Sequence, residues 1–162
     1  MAGFGLGLYM VGLQLSPQKL KLYSWHKWIG ITVFLATLIR LAWRLGHAPP
    51  PLPASVPDWE RKLAGVGHRL LYLLMLVIPI SGWLYSSAAG VSVVYLGWLH
   101  LPNLVAANKA LAEQLKLVHM TLDFILLALV VGHVAAALKH HFVDHDGVLA
   151  RMIPLLKLKR SE

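Results

Sequence analysis

Three long apolar stretches with only scattered charges limit what this chain can become. They run from about residue 25 to 45, containing ITVFLATLI; from about 67 to 85, reading GHRLLYLLMLVIPISGWLY; and from about 115 to 138, reading LKLVHMTLDFILLALVVGHVAAAL. A hydrocarbon core of about 30 Å takes about 20 mostly apolar residues as helix. Each stretch meets that length and is too long for a buried strand. Lipid also leaves no partner for open backbone groups, so helix is the structure such segments adopt. Composition agrees. Of 162 residues, 57% are hydrophobic and 14% charged, with a mean hydropathy of +0.63. Average soluble domains carry about 25% charged residues, so a disordered chain is excluded and an ordinary soluble domain disfavoured. The chain has no cysteine, which excludes disulfides, iron–sulfur clusters and thiolate zinc sites.

The start, MAGFGLGLYMVGLQL, is apolar but short. Fifteen residues of helix reach only about 22 Å. No basic residue precedes the apolar run, so it is a poor signal peptide. It reads as the outer part of a spanning helix whose beginning is missing, with an interfacial or re-entrant piece as the alternative. The expected fold is therefore an all-α membrane protein, a four-transmembrane-helix bundle with a truncated first helix, in one domain over residues 1–162. The connection over 45–64 contains HAPPPLPASVP and reads as non-helical loop. A longer loop over 86–114 is expected to carry a short amphipathic helix near 105–113. Pro79 should kink its span.

Basic residues set the orientation. Arg40, Arg44, Arg61, Lys62, Arg69, Lys139, Arg151, Lys157, Lys159 and Arg160 fall on the side of the proline-rich loop and the C-terminal tail; Lys19, Lys21, Lys27, Lys109 and Lys116 fall on the other. Ten against five puts the loop and the C-terminus in the cytoplasm. The net charge of +8 then reflects topology and attraction to anionic membrane lipid, with no nucleic-acid partner, since no basic run is interleaved with aromatics.

Nine histidines are many for so apolar a chain, and imidazole within a span calls for a reason. His26 and His119 each lie a few residues inside a span that enters from the outer side, so they sit at similar depth on different helices. That arrangement suits an iron held between two axial imidazoles. His133 follows His119 by 14 residues, about 21 Å of rise and nearly the same helix face. Two ligands on one stripe at opposite depths suit two stacked haems, whereas a single small ion cannot use both. The plain alternative for each is a hydrogen bond to a neighbouring helix. His68 lies near the cytoplasmic end of its span. His140 and His141 lie at the cytoplasmic membrane edge, as a snorkelling pair or as a headgroup or quinone contact; His47, His100 and His145 read as solvated. Arg40, Arg44 and Arg69 are placed to pair with haem propionates, or simply obey the positive-inside rule. Gly30, Gly65, Gly67 and Gly132 either admit a flat macrocycle or pack helices closely. Trp25, Trp28, Trp83 and Trp98 read as interfacial belt residues. Asp123, the lone acid inside a span, lies one turn beyond His119, either orienting a group there or making a buried hydrogen bond.

These pieces resemble one family. WHKWIG around His26, GHRLLYLL with IPISGW after His68, LKLVH around His119, GHVAAALKHHF around His133 and the tail DGVLARMIP are similar to the bacterial cytochrome b561 family, four-helix dihaem membrane cytochromes related to the cytochrome b subunits of nickel–iron hydrogenases. The resemblance covers nearly the whole chain. It implies an outer haem b held by His26 and His119, and an inner haem b held by His133 and a histidine of the first helix. No histidine precedes His26. Either the natural chain begins upstream of Met1, or the inner site is rewired with His68 as the nearest substitute. The resemblance further implies electron transfer coupled to a quinone in the respiratory chain of the bacterial inner membrane, with superoxide a donor for some relatives. The competing class is a membrane-anchor subunit that docks a peripheral dehydrogenase or hydrogenase, with a redox protein as partner. A metal-ion transporter is disfavoured because only Asp123 would line its path.

Overall fold

The computed structural model describes residues 2–47, 53 and 56–146. The proline-rich stretch at 48–52 and 54–55, and the tail from 147 with Arg151, Lys157, Lys159 and Arg160, lie outside the described residues. Four helices run in order: α1 (Ala2–Val11), α2 (Pro17–Gly46), α3 (Asp58–Ala88) and α4 (Lys109–Phe142). A hairpin of β1 (Val93–Tyr95) and β2 (Leu99–Leu101) interrupts them between α3 and α4. Helices α2, α3 and α4 are each long and apolar enough to cross a membrane. With ten residues, α1 rises about 15 Å and does not by itself span.

All three long helices outrun the apolar stretches that announced them. Ser16 caps α2, its Oγ accepting from Lys19 N at 3.2 Å, with Pro17 in the first turn. Asn108 caps α4 through Leu111 N at 3.1 Å. Helix α3 starts at Asp58, directly after Pro57, with Asp58 and Glu60 in its first turn. The expected loop over 45–64 therefore ends earlier than its proline content suggested. The amphipathic helix expected near 105–113 is not present as a separate element. Residues 109–113 are the first turns of α4, and the connection folds as the hairpin instead.

The hairpin turns on Leu96 and Gly97, both at positive φ (53° and 84°). Positive φ at both central residues gives the turn whose twist matches paired strands. It is tied to the helices by indole N–H groups: Trp28 Nε1 donates to Val94 O at 2.7 Å, and Trp83 Nε1 donates to Pro102 O at 3.0 Å. Thr32 Oγ1 and Tyr95 Oη meet at 3.0 Å. Two of the four expected belt tryptophans thus pin the loop over one end of the bundle.

Few side chains are buried, among them four hydroxyls beside apolar residues such as Leu22, Ile31, Leu74 and Ile78, while many large apolar side chains face outward. Thr37 and Ser87 are each 1% exposed, whereas Ile39 is 71% and Trp43 66% exposed. Small residues let helices approach where lipid, not water, is the solvent. The buried hydroxyls have partners: Thr37 donates to Val33 O at 2.7 Å, Ser86 to Val91 O at 2.7 Å, and Ser87 Oγ accepts from Leu104 N at 3.1 Å. Helix α3 packs on both α2 and α4, α1 packs on α2, and Phe4 meets Phe124 edge-on at 5.5 Å, which closes α1 against α4.

Candidate functional site: two imidazole pairs

Four of the span histidines meet as two pairs. His26 on α2 and His119 on α4 have ring centroids 6.0 Å apart and ring planes 87° apart. His68 on α3 and His133 on α4 lie 5.3 Å apart at 67°. The rise of α4 separates the two levels by about 21 Å. The equal depth expected of His26 and His119 is present, and His68 stands at the depth of His133.

The first pair is fixed by its hydrogen bonds. His26 Nδ1 lies 3.0 Å from Gly3 O. A carbonyl only accepts, so Nδ1 carries the proton. His119 Nδ1 lies 2.9 Å from Ser81 Oγ and 3.2 Å from Ile78 O. In the neutral form of each ring Nε2 then keeps its lone pair. Glycines make room for the imidazoles. A β-carbon at Gly82 would fall 2.9 Å from His119 Cε1, and one at Gly7 would fall 3.3 Å from His26 Cε1. Asp123 Oδ2 stands 3.5 Å from His119 Nε2, beyond ordinary hydrogen-bond length, so this acid lies beside the His26–His119 pair.

Neither His68 nor His133 makes a hydrogen bond among the described residues; each has the other's ring as its recorded contact. Beside them, one turn along α3 from His68, Tyr72 Oη accepts from Arg40 Nε at 2.9 Å and from Arg44 Nη1 at 3.3 Å, and the Arg44 guanidinium lies 5.5 Å from the Tyr72 ring centre. Neither guanidinium has a carboxylate partner among the described residues. Arg69, expected to join them, is exposed.

His140 sits in an ionic cluster. Its Nδ1 donates to Asp146 Oδ2 and lies 3.2 Å from Asp144 Oδ2, while Nε2 lies 3.6 Å from Glu60 Oε2. Lys139 Nζ is 2.8 Å from both Glu60 and Asp144. The grouping of Glu60, His140 and Asp144 has ligand-like spacing, with donor atoms within 4.8 Å, and Lys139 is paired with both of its carboxylates. His141 meets Phe142 edge-on at 4.7 Å. His47 is stacked on Trp43 at 3.9 Å.

The separation of the His26 and His119 rings matches that of two imidazoles with an iron porphyrin between them. Imidazole–metal bonds of about 2 Å, with about 1 Å more from nitrogen to ring centre on each side, put the two centroids about 6 Å apart. A β-carbon added at Gly30, Gly65, Gly67 or Gly132 meets open space, so close helix packing is not what calls for glycine there. Sequence reasoning did not single out Ser81, Gly82, Gly3 or Gly7. The IPISGW motif held the first two, yet only the fold brings them against His119.

The chain is similar to known proteins along nearly its whole length. The family model described as prokaryotic cytochrome b561 matches residues 1–155. Cytochrome b561 homolog 2 of Escherichia coli K12 is 40% identical over 152 residues, covering 93% of this chain and 80% of the relative. Cytochrome b561 homolog 1 of the same organism is 31% identical over 132 residues, 82% of this chain and 74% of the relative. A protein named probable superoxide oxidase CybB, from Yersinia pestis, is 34% identical over 134 residues, 80% of this chain and 76% of the relative.

Proposed function

Since the chain belongs to the prokaryotic cytochrome b561 family, a family of multi-pass membrane cytochromes with b-type haem, we propose that it holds an outer haem b crosswise between His26 and His119 and works in electron transfer to or from a quinone. The observation that carries this reading is the 6.0 Å imidazole pair whose two Nδ1 atoms are both committed to acceptors. Held between these two imidazoles, haem b would supply electron-transfer chemistry. The protein's part is to hold two neutral imidazoles in one tautomer, at one depth, within lipid.

The inner level has His133 facing His68. Arg40 and Arg44, gathered on Tyr72, are the groups suited to haem propionates there; Arg69 belongs to the same basic end. His133 is the proposed inner ligand, and its opposite ligand is either His68 or a residue of the first helix. His140 and His141 stand at this end for a quinone headgroup, although the ionic contacts of His140 make it the more constrained of the two. We further propose that α1 is part of a fourth span, that the protein lies in the bacterial inner membrane, and that the C-terminus is cytoplasmic, as the ten-to-five distribution of basic residues favours. The name of the Yersinia relative supports superoxide as a donor. Lys21, Lys109 and Lys116, on the outer side in this topology, would attract such an anion.

The test is a reduced-minus-oxidised optical spectrum of detergent-purified protein, with haem counted per chain. Low-spin b-type bands that lose one haem in His26→Ala and in His119→Ala support the reading. Unchanged spectra in both variants refute the ligand assignment.

A further inference from the structure

We infer that Ser81 is a positioning residue for the outer site: its hydroxyl fixes the tautomer and ring orientation of His119, and thereby the affinity and potential of the iron that this imidazole would bind. The inference rests on the proposed role of His119 as an axial ligand.

The argument is one of proton counting. A serine hydroxyl has one proton and can accept as well as donate. Ser81 Oγ lies 2.7 Å from Ile78 O, which can only accept, so the proton points there. The hydroxyl's lone pairs are then left for His119 Nδ1 at 2.9 Å. Ile78 O itself lies 3.2 Å from the same nitrogen. Both neighbours of Nδ1 are therefore acceptors, and the ring must carry its proton on that side. The opposite tautomer would break the 2.7 Å bond and set a carbonyl against a lone pair. Ser81 is 4% exposed, so water does not replace it readily.

Gly82 completes the device. Its missing β-carbon leaves the space that the His119 ring fills, at 2.9 Å from where that carbon would be. The Ser81–Gly82 pair thus supplies an acceptor and a slot on adjacent residues. The His68–His133 pair has no such hydrogen-bond partner among the described residues, so the device is particular to one level.

The chemical consequence has a sign. An acceptor on Nδ1–H raises the basicity of Nε2 and favours ferric over ferrous iron. Removing Ser81 Oγ leaves Ile78 O as a weaker, longer acceptor. The outer haem should then be bound less tightly and be easier to reduce.

The experiment uses full-length protein purified with haem, comparing wild type, Ser81→Ala, Ser81→Thr, Ser81→Cys and the control His119→Ala. Haem retention, the midpoint potential of the outer haem by redox titration, and the low-spin ferric EPR signal are read. Ser81→Ala should retain haem about 10-fold less tightly, with an upward shift in potential and an altered EPR signal. Ser81→Thr, which keeps the hydroxyl, should restore all three, and Ser81→Cys should lie between. Wild-type potential and EPR in Ser81→Ala overturn the inference. So does equal loss of thermal stability in the Ala and Thr variants with no shift in potential, because the serine would then be only a helix back-bond. If Ser81→Ala does not fold, Ser81→Cys decides by the same readouts. Haem spectra that His119→Ala leaves unchanged refute the ligand reading itself, separately from the role of Ser81.

Discussion

The outer and inner imidazole pairs use the same residue type on the same helix bundle, yet they are built differently. At the outer level each ring is oriented by acceptors on its Nδ1, slotted against a glycine, and roofed by the β1–β2 hairpin. At the inner level His68 and His133 meet only edge to face at 5.3 Å, shorter than the separation that suits an intervening metal, and the organised groups beside them are Arg40, Arg44 and Tyr72. The difference teaches that helix position brings histidines together, whereas the orientation of each ring also depends on partners for its ring nitrogens. The outer pair is preorganised by this chain alone; the inner pair has the charge but not the orienting contacts.

Substitutions can break this contrast. The largest effect is expected from His119→Ala, which should abolish the outer haem signal, while His68→Ala should leave that signal intact. The haem-to-protein ratio of the two purified variants reads this directly, and loss of the outer signal in both would erase the distinction. Next comes Gly82→Ala. Its new methyl collides with the His119 ring, so haem affinity at the outer site should fall about 10- to 100-fold. Gly132→Ala, whose β-carbon meets open space, should leave the outer site unchanged in the same haem-release assay.

Smaller effects sharpen the role of the roof. Trp28→Phe removes the 2.7 Å bond to Val94 O and should cost about 1 kcal/mol. The expected result is faster protease cleavage within 91–103, with the inner level unaffected. The smallest effect is a gain. Leu96→Asn relieves a leucine held at a φ of 53°, and should raise stability by up to about 1 kcal/mol, measured as a higher unfolding midpoint in detergent.

Much of this was legible beforehand. The three long helices follow from apolar runs, because lipid admits little else. Their ends were set too short, since hydropathy sees only the part in hydrocarbon, whereas Ser16 and Asn108 start their helices a turn or more earlier. The hairpin is unmarked in the sequence because its turn is Leu96–Gly97 rather than an asparagine–glycine pair, and its strands are only three residues each. Depth puts His26 and His119 level with each other, and the structure brings their rings to 6.0 Å. Ser81 was not, because a serine within an apolar run has no period or spacing that marks it, and its partner lies 38 residues away.

What the amino-acid order determined unaided is the number of long helices, their content of histidine and the asymmetry of charge. Each depends on local composition and on the fixed thickness of a bilayer. What only the packed bundle decided is which imidazoles face one another and which ring nitrogen is left to bind, because a tautomer is chosen by acceptors contributed from other helices. Gly3, Ile78 and Ser81 are far in sequence from the rings they orient, and only their three-dimensional proximity gives those rings a direction.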